Sequence, residues 1–162
     1  MRIGIGHDTH RLTDGGPLRI GGVSIDYDRH LVGHSDADVL VHAITDALLG
    51  AIAQGDIGEL FPNTDAQNKG RDSEEFLLAA RDRVTGAGYQ VVNLDCIVFA
   101  EEPKLSPYKR AMSQAIALAL GVATDAVNVK AKTGEGVGPV GRREAISSQC
   151  IALLAASSQP AN

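Results

Sequence analysis

Apolar and polar positions follow one another along this chain in blocks that predict a mixed α and β domain. Residues 2–6 read as a short buried strand leading directly into Asp8-Thr9-His10. Leu18-Arg19-Ile20 and Val23-Ser24-Ile25 flank Gly21-Gly22, the pattern of a tight hairpin. The clearest helix is predicted over residues 36–53, where Leu40, Ile44, Ala47, Leu48, Ala51 and Ile52 recur on one face. Ser35 or Asp36 is placed to cap it, and residues 55–58 end it. Residues 60–65 are loop-like. A second helix is predicted over 73–87, with Phe76, Leu77, Ala80 and Val84 on one side, then a strand over 89–100 that Glu101-Glu102-Pro103 stops. A third helix follows Pro107 and ends at Gly121, and a strand covers 126–131. A Gly-rich turn then leads into a last predicted helix over 142–156, with a frayed tail from Ser157. Nothing repeats and no linker divides the chain, so residues 1–162 are expected to form a single domain. The order fits an α+β sandwich, a mixed β-sheet with one layer of helices, related to the ferredoxin-like split βαβ arrangement.

Composition narrows the function. The chain has 162 residues, and Asp plus Glu outnumber Lys plus Arg by 20 to 15, for a formal net charge of −5. That excess disfavours nucleic acid and anionic membrane as partners, because both select a basic face. A phosphate bound here must meet local cations, backbone N–H groups or metal. Cys96 and Cys150 are too far apart in sequence for a CxxC motif and sit in apolar runs, so they read as buried, unreactive thiols. The apolar start turns polar at His7, too soon for a signal peptide, and no apolar run approaches the ~20 residues of a membrane span. A cytoplasmic enzyme is the expectation.

Two constellations carry candidate chemistry. In Asp8-Thr9-His10 the outer residues are two apart, so on an extended segment carboxylate and imidazole point the same way. On the first helix Asp38, His42, Thr45 and Asp46 form a polar stripe without Lys or Glu, unlike an ordinary solvated face. Asp8, His10 and His42 together offer three N/O ligands from two elements, the set a catalytic zinc uses with its fourth position open. Asp46 is placed to accept the second ring proton of His42 or His10. The second constellation is Gly136-Val137-Gly138-Pro139-Val140-Gly141, which matches G-x-G-x-x-G. The dinucleotide reading fails, since no later strand carries the required acidic residue. A Gly-rich turn before a helix still suits anions, and Lys132, Thr133, Glu135 and Arg142 surround it. Glu135 makes sense beside phosphate only if it holds a cation such as Mg²⁺. A zinc phosphoesterase and a non-catalytic cytidine-nucleotide binder remain alternative readings of these groups.

As a set, these motifs closely resemble the 2-C-methyl-D-erythritol 2,4-cyclodiphosphate synthases of non-mevalonate isoprenoid biosynthesis. The resemblance runs through Gly6-His7-Asp8-Thr9-His10-Arg11, His34-Ser35-Asp36-Ala37-Asp38, His42-Ala43-Ile44-Thr45-Asp46-Ala47, Gly55-Asp56-Ile57-Gly58 with Leu60-Phe61-Pro62, Asn128-Val129-Lys130-Ala131 before Thr133 and Glu135, and Gly141-Arg142. It implies conversion of 4-diphosphocytidyl-2-C-methyl-D-erythritol 2-phosphate to the cyclic diphosphate with release of CMP, a phosphorus-oxygen lyase reaction. It implies zinc or a similar ion on Asp8, His10 and His42, and Mg²⁺ or Mn²⁺ on Glu135 bridging the diphosphate. Asp8, Thr9, His10, His34, Ser35, Asp56, Ile57, Gly58, Phe61, Pro62, Asn63, Thr64 and Asp65 would surround the erythritol and phosphate portion. Ala100, Glu101, Glu102, Pro103, Lys104, Leu105, Ser106 and Ala131 would form the cytidine pocket. Lys132, Thr133, Gly134, Glu135, Pro139 and Arg142 would lie around the phosphates and the turn beyond them. His34 and Thr133 would donate to transition-state charge, and the assembly would be a homotrimer with sites between subunits. Three positions depart from the family pattern: Lys132 and Gly134 where Thr is usual, and Pro139 where Phe is usual. Gly134 is expected to loosen its loop, and Pro139 to remove an aromatic wall near the family's central cavity.

Overall fold

The strand expected over residues 2–6 continues past Gly6 in the three-dimensional structure, a computed structural model that describes residues 1–62, 64–68 and 70–157. Strand β1 spans Arg2–Asp14, so Asp8 and His10 belong to the strand itself and not to a turn beyond it. Its even-numbered residues Gly4, Gly6, Asp8, His10 and Leu12 face the helices, and Ile3, Ile5, His7, Thr9 and Arg11 face the other way. The hairpin β2 (Leu18–Ile20) and β3 (Val23–Ile25) follows as expected, and β4 (Arg29–Val32) returns along β1.

Helix α1 covers Val39–Ala51, shorter than its pattern suggested, and Asp38 caps it. The Asp38 carboxylate accepts from Leu40 N and Val41 N and also from Gly21 N and Gly22 N, at 2.7–3.2 Å. It therefore leaves the predicted polar stripe and instead ties the β2–β3 turn to the start of α1. After the short α2 (Ile57–Leu60) come α3 (Ser73–Gly86), β5 (Tyr89–Phe99), α4 (Lys109–Leu120) and β6 (Val127–Lys132), close to their predicted bounds. Gly121 closes α4 in the left-handed conformation, φ +69°.

The last predicted helix is instead a strand. After the four-residue α5 (Gly138–Gly141), β7 runs Ala145–Ala156. Its Ala, Leu and Gln residues favour a helix in isolation. The burial has period two, however, with Ile146, Ser148, Cys150, Ala152 and Leu154 inward, and β7 pairs antiparallel with β1 on one side and β5 on the other. Backbone partners on both edges override intrinsic propensity. The resulting five-stranded order is β4-β1-β7-β5-β6, with β5 and β6 parallel. Since β7 is antiparallel to both neighbours, β1 and β5 run parallel with β7 between them, which is the split βαβ arrangement. The tail from Ser157 lies outside the described residues except for Ser157 itself, whose N–H donates to Gly88 O at 2.9 Å.

The core lies between one face of this sheet and the helices. Cys96 and Cys150 meet there in register, free and fully buried, with the Cys150 thiol pushed up by contact with Cys96 and by burial. The closest approach is that of α1 to β1. A Cβ on Gly4 would lie 1.9 Å from Ala47 O, and one on Gly6 would lie 1.9 Å from Ala43 O. Only the absence of side chains lets the helix settle this deep. Replacing Gly6 by Ala must lift α1 or bend β1. We expect a loss of about 3 kcal/mol in urea unfolding, at the upper end for overpacking. Stability within ~0.5 kcal/mol of wild type would show that α1 lifts without cost.

Candidate metal centre and its cavity

Because Gly4 and Gly6 draw α1 down, His42, next to Ala43 on the turn seated over Gly6, meets the two helix-facing polar residues of β1. Asp8 Oδ2, His10 Nε2 and His42 Nδ1 form a triangle with sides of 2.8, 2.9 and 3.0 Å. They are the group of potential metal ligands found among the described residues. Each group is oriented from behind. Asp8 Oδ1 accepts from Thr9 N at 2.8 Å, leaving Oδ2 for the triangle. His10 Nδ1 lies 3.0 Å from Val32 O. A carbonyl only accepts, so Nδ1 carries the proton and Nε2 turns its lone pair inward.

Lone pairs converging at this separation repel one another unless a cation lies among them. That donor set, two imidazole nitrogens and a carboxylate oxygen, fits a divalent metal. A proton shared between carboxylate and imidazole relieves the same repulsion. Burial pulls the His10 imidazole down, but the Asp8 carboxylate outweighs it and raises His10 above its ordinary value. Burial likewise pushes Asp8 up, and its bonds and charge interactions with His10 and His42 hold it well below the usual carboxylate range.

The triad forms part of the wall of a cavity of about 180 Å³, shared with His34, Ser35, Ile57, Gly58, Phe61, Asn68 and Phe76. Phe61 and Phe76 stack with centroids 4.4 Å apart, and the His42 ring lies 5.9 Å from Phe76. This apolar wall lowers the local dielectric and strengthens charge interactions at the triad. Of the residues expected here, the structure gathers Asp8, His10, His42, His34, Ser35, Ile57, Gly58 and Phe61 around one space. Others shape the loop without lining the cavity. Asp56 caps α2 by accepting from Glu59 N at 2.9 Å, Asp65 accepts from Gln67 N at 2.9 Å, and Pro62 O accepts from Asp65 N and Asn68 Nδ2. Thr64 is exposed, Thr9 projects from the opposite sheet face, and Asn63 lies outside the described residues.

Asp46 does not meet either imidazole. Its carboxylate, raised by burial, accepts from Ile57 N at 2.8 Å and so fixes the 56–58 segment against α1. The nitrogen it was expected to serve, His42 Nε2, faces Ser73 Oγ at 2.8 Å and Ser35 Oγ at 3.0 Å. Ser73 in turn donates to Asp36. Neither Ser73 nor Asp36 stood out by sequence, because a Ser at a helix start and an Asp before one both read as caps. Only the packing of α3 beside α1 gives them this neighbour.

The residues expected around cytidine and phosphate form a second cluster at the far edge of the sheet. Ala100 N donates to Lys132 O at 2.9 Å, Glu101 accepts from Gly134 N at 3.0 Å, and Thr133 Oγ1 donates to Glu135 at 2.8 Å. Pro103 follows a cis peptide bond, Lys104 is exposed, and Leu105 turns into the core beside Ala100. Gly134 does not loosen its loop. A Cβ there would lie 2.5 Å from Gly141 N, so the missing side chain lets the two ends of the turn touch. Pro139 is exposed at the start of α5, and Arg142 pairs with Glu144 at 2.9 Å. Glu102 pairs with Arg143.

The model of the YgbB family matches residues 1–155. A 2-C-methyl-D-erythritol 2,4-cyclodiphosphate synthase of Rhodopirellula baltica is 51% identical over 154 residues, covering 95% of this chain and 93% of its own. The synthase of that name from Burkholderia cenocepacia is 55% identical, over 95% and 96%. Among solved structures, the CDP complex of Plasmodium falciparum IspF superposes with a TM-score of 0.86 at 33% identity, over 97% of each chain. The α+β sandwich is therefore shared over almost its whole length, and the chain belongs to the YgbB family, that of the 2-C-methyl-D-erythritol 2,4-cyclodiphosphate synthases.

Proposed function

We propose that this chain converts 4-diphosphocytidyl-2-C-methyl-D-erythritol 2-phosphate into 2-C-methyl-D-erythritol 2,4-cyclodiphosphate and CMP. The observation that carries the reading is the convergence of Asp8, His10 and His42 in a half-apolar cavity in a chain of this family. An oxygen of the 2-phosphate attacks the β-phosphorus, the bond from that phosphorus to the bridging oxygen breaks, and CMP leaves with that oxygen. The nucleophile is already an anion within the same molecule, so no residue must activate it, and positioning can contribute on the order of 7–11 kcal/mol. Asp8, His10 and His42 would hold zinc, and Glu135 Mg²⁺ or Mn²⁺. Divalent ions held there supply Lewis-acid neutralisation of the phosphate charge. His34 and Ser35 bind and orient the erythritol phosphate end, with Gly58 leaving room for it. Thr133 turns its hydroxyl from Glu135 to the β-phosphate. Phe61 and Phe76 exclude water that would otherwise hydrolyse the diphosphate.

The site is completed by a second copy of the chain in a cyclic homotrimer. Three features support this. The cavity lining includes no residue from 100–142. Across the sheet, Asp8 aligns with Ser148, Val98 and Ala131 in turn, so within one chain triad and nucleotide cluster are three strand spacings apart, roughly 14 Å. The sheet face away from the helices exposes Ile3, Ile5 and Ile151 side by side, an apolar patch that a monomer would leave in water. No helix among the described residues is long and apolar enough to cross a membrane, and two unbonded cysteines suit the reducing cytoplasm where we place the enzyme.

Phosphorus NMR of the product tests the reaction. Cyclisation gives a cyclic diphosphate and CMP without incorporating labelled water. Label in the phosphate would identify a phosphoesterase, and unchanged substrate with tightly bound CDP would identify a nucleotide binder. His42→Ala should abolish bound zinc and turnover while the fold survives, and elemental analysis finding undiminished zinc would remove His42 from the centre. Glu135→Gln should keep zinc but require at least tenfold more Mg²⁺ for half-maximal rate, in line with the loss of a ligand. An unaltered Mg²⁺ dependence would count against Glu135. Asp8→Ala and Lys104→Ala chains, each inactive, should recover activity when refolded together, since some interfaces then pair two intact surfaces. Mixed trimers without recovered activity would place each site within one chain.

A further inference from the structure

We propose that Ser73 is a positioning residue of the metal centre, holding His42 in the tautomer whose bare Nδ1 faces Asp8 and His10. The proposal rests on the reading that this triad binds an ion and concerns what lies behind it. Ser73 is 1% exposed, so water does not compete for its hydroxyl. Its Oγ lies 2.8 Å from His42 Nε2 and donates to Asp36 Oδ1.

The direction of these bonds follows from counting hydrogens. Asp36 accepts from Asp38 N at 3.2 Å and from Ser73 N at 3.2 Å, and Arg19 Nε lies 3.0 Å from it as an ion pair. Arg19 is itself anchored by two bonds from Nη2 to Asp72, at 2.9 and 3.0 Å. The Asp36 carboxylate is thus kept as an acceptor. A hydroxyl has one hydrogen, and Ser73 commits it to Asp36, so toward His42 the oxygen can only accept. His42 must then carry its proton on Nε2, and Nδ1 is left with a lone pair. Ser35 Oγ also lies near Nε2, at 3.0 Å, but it accepts from Ala37 N and its own hydrogen meets no carboxylate. It tolerates either tautomer, and Ser73 imposes one. Asp36–Ser73–His42 is then a hydrogen-bond chain that runs from the 34–38 loop through the start of α3 to the triad, with Arg19 of β2 paired to Asp36 by charge. Carboxylates usually reach a ligating histidine directly; in this chain a hydroxyl is interposed.

Zinc titration of the metal-free full-length protein against a competing chelator tests the proposal, with Co²⁺ absorption as a second probe of ligand geometry. Ser73→Ala should weaken zinc binding roughly 10–100-fold and alter the Co²⁺ bands, as outer-shell losses do. Ser73→Thr, which keeps the hydroxyl, should return both toward wild type. Asp36→Asn should also weaken binding, because its amide can donate to Ser73 and turn the hydroxyl hydrogen onto Nε2. That variant carries the same test if Ser73→Ala fails to fold. Zinc affinity in both Ser73→Ala and Asp36→Asn equal to wild type would overturn the proposal and leave the triad intact. Equal weakening in Ser73→Ala and Ser73→Thr would also overturn it, assigning the loss to packing. Failure of the wild-type protein to bind either ion would overturn the triad reading, and this proposal with it.

Discussion

The close seating of α1 on β1 is the constraint on which the rest depends. Two glycines on one side of a strand remove the side chains that would otherwise hold a helix farther from a sheet. Backbone then meets backbone at Gly4 and Gly6, and the same strand face continues into Asp8 and His10. A helix held at ordinary distance would leave His42 too far from them to share a ligand. The candidate metal centre is therefore a continuation of the close packing in the core, and its precision comes from regular elements and not from loops.

How much of this was legible in the sequence depended on how local each determinant was. Helices α3 and α4 and strands β5 and β6 announced themselves through periodicity and through stops at Pro103 and Gly121. The triad was legible because D-x-H on a strand and one His on a helix keep their ligand types wherever they fold. β7 was not, since its residues favour a helix and only the slot between β1 and β5 makes them extended. Asp46 and Ser73 exchanged roles for a similar reason. Asp46 lies one turn from His42 in sequence, but Ile57 N claims its carboxylate. Ser73, 31 residues from His42, reaches it only because α3 packs beside α1. Gly134 shows the limit of reading a glycine as freedom: here it permits contact with Gly141, which fixes the turn.

An acidic chain that handles a highly anionic substrate relies on local electrostatics. With a net charge of −5 there is no broad attraction for phosphate, so each phosphate must be met by a placed group. Six of the ten arginines are engaged by carboxylates: Arg19 by Asp36 and Asp72, Arg29 by Asp14, Arg71 by Glu75, Arg81 by Asp82, Arg142 by Glu144, Arg143 by Glu102. These pairs fix loops around the cavity and the Gly-rich turn more than they add stability, since exposed pairs contribute little. The charge balance at the phosphates would thereby fall to bound cations, which suits a site that offers a carboxylate and two imidazoles.

The central position of β7 has a consequence for how the chain acquires its fold. Arg2 pairs with Leu154, and β1 and β5 touch only through β7. While residues 145–156 are still being synthesised, β1 and β5 each lack a neighbour, and their edges are free to pair with other chains. Contacts of such long sequence separation form slowly, because loop closure must precede any reward from pairing. The sheet thus assembles late and cooperatively, its first strand waiting for its last. The nascent chain is most exposed to misassociation in the interval before residues 145–156 are available to pair.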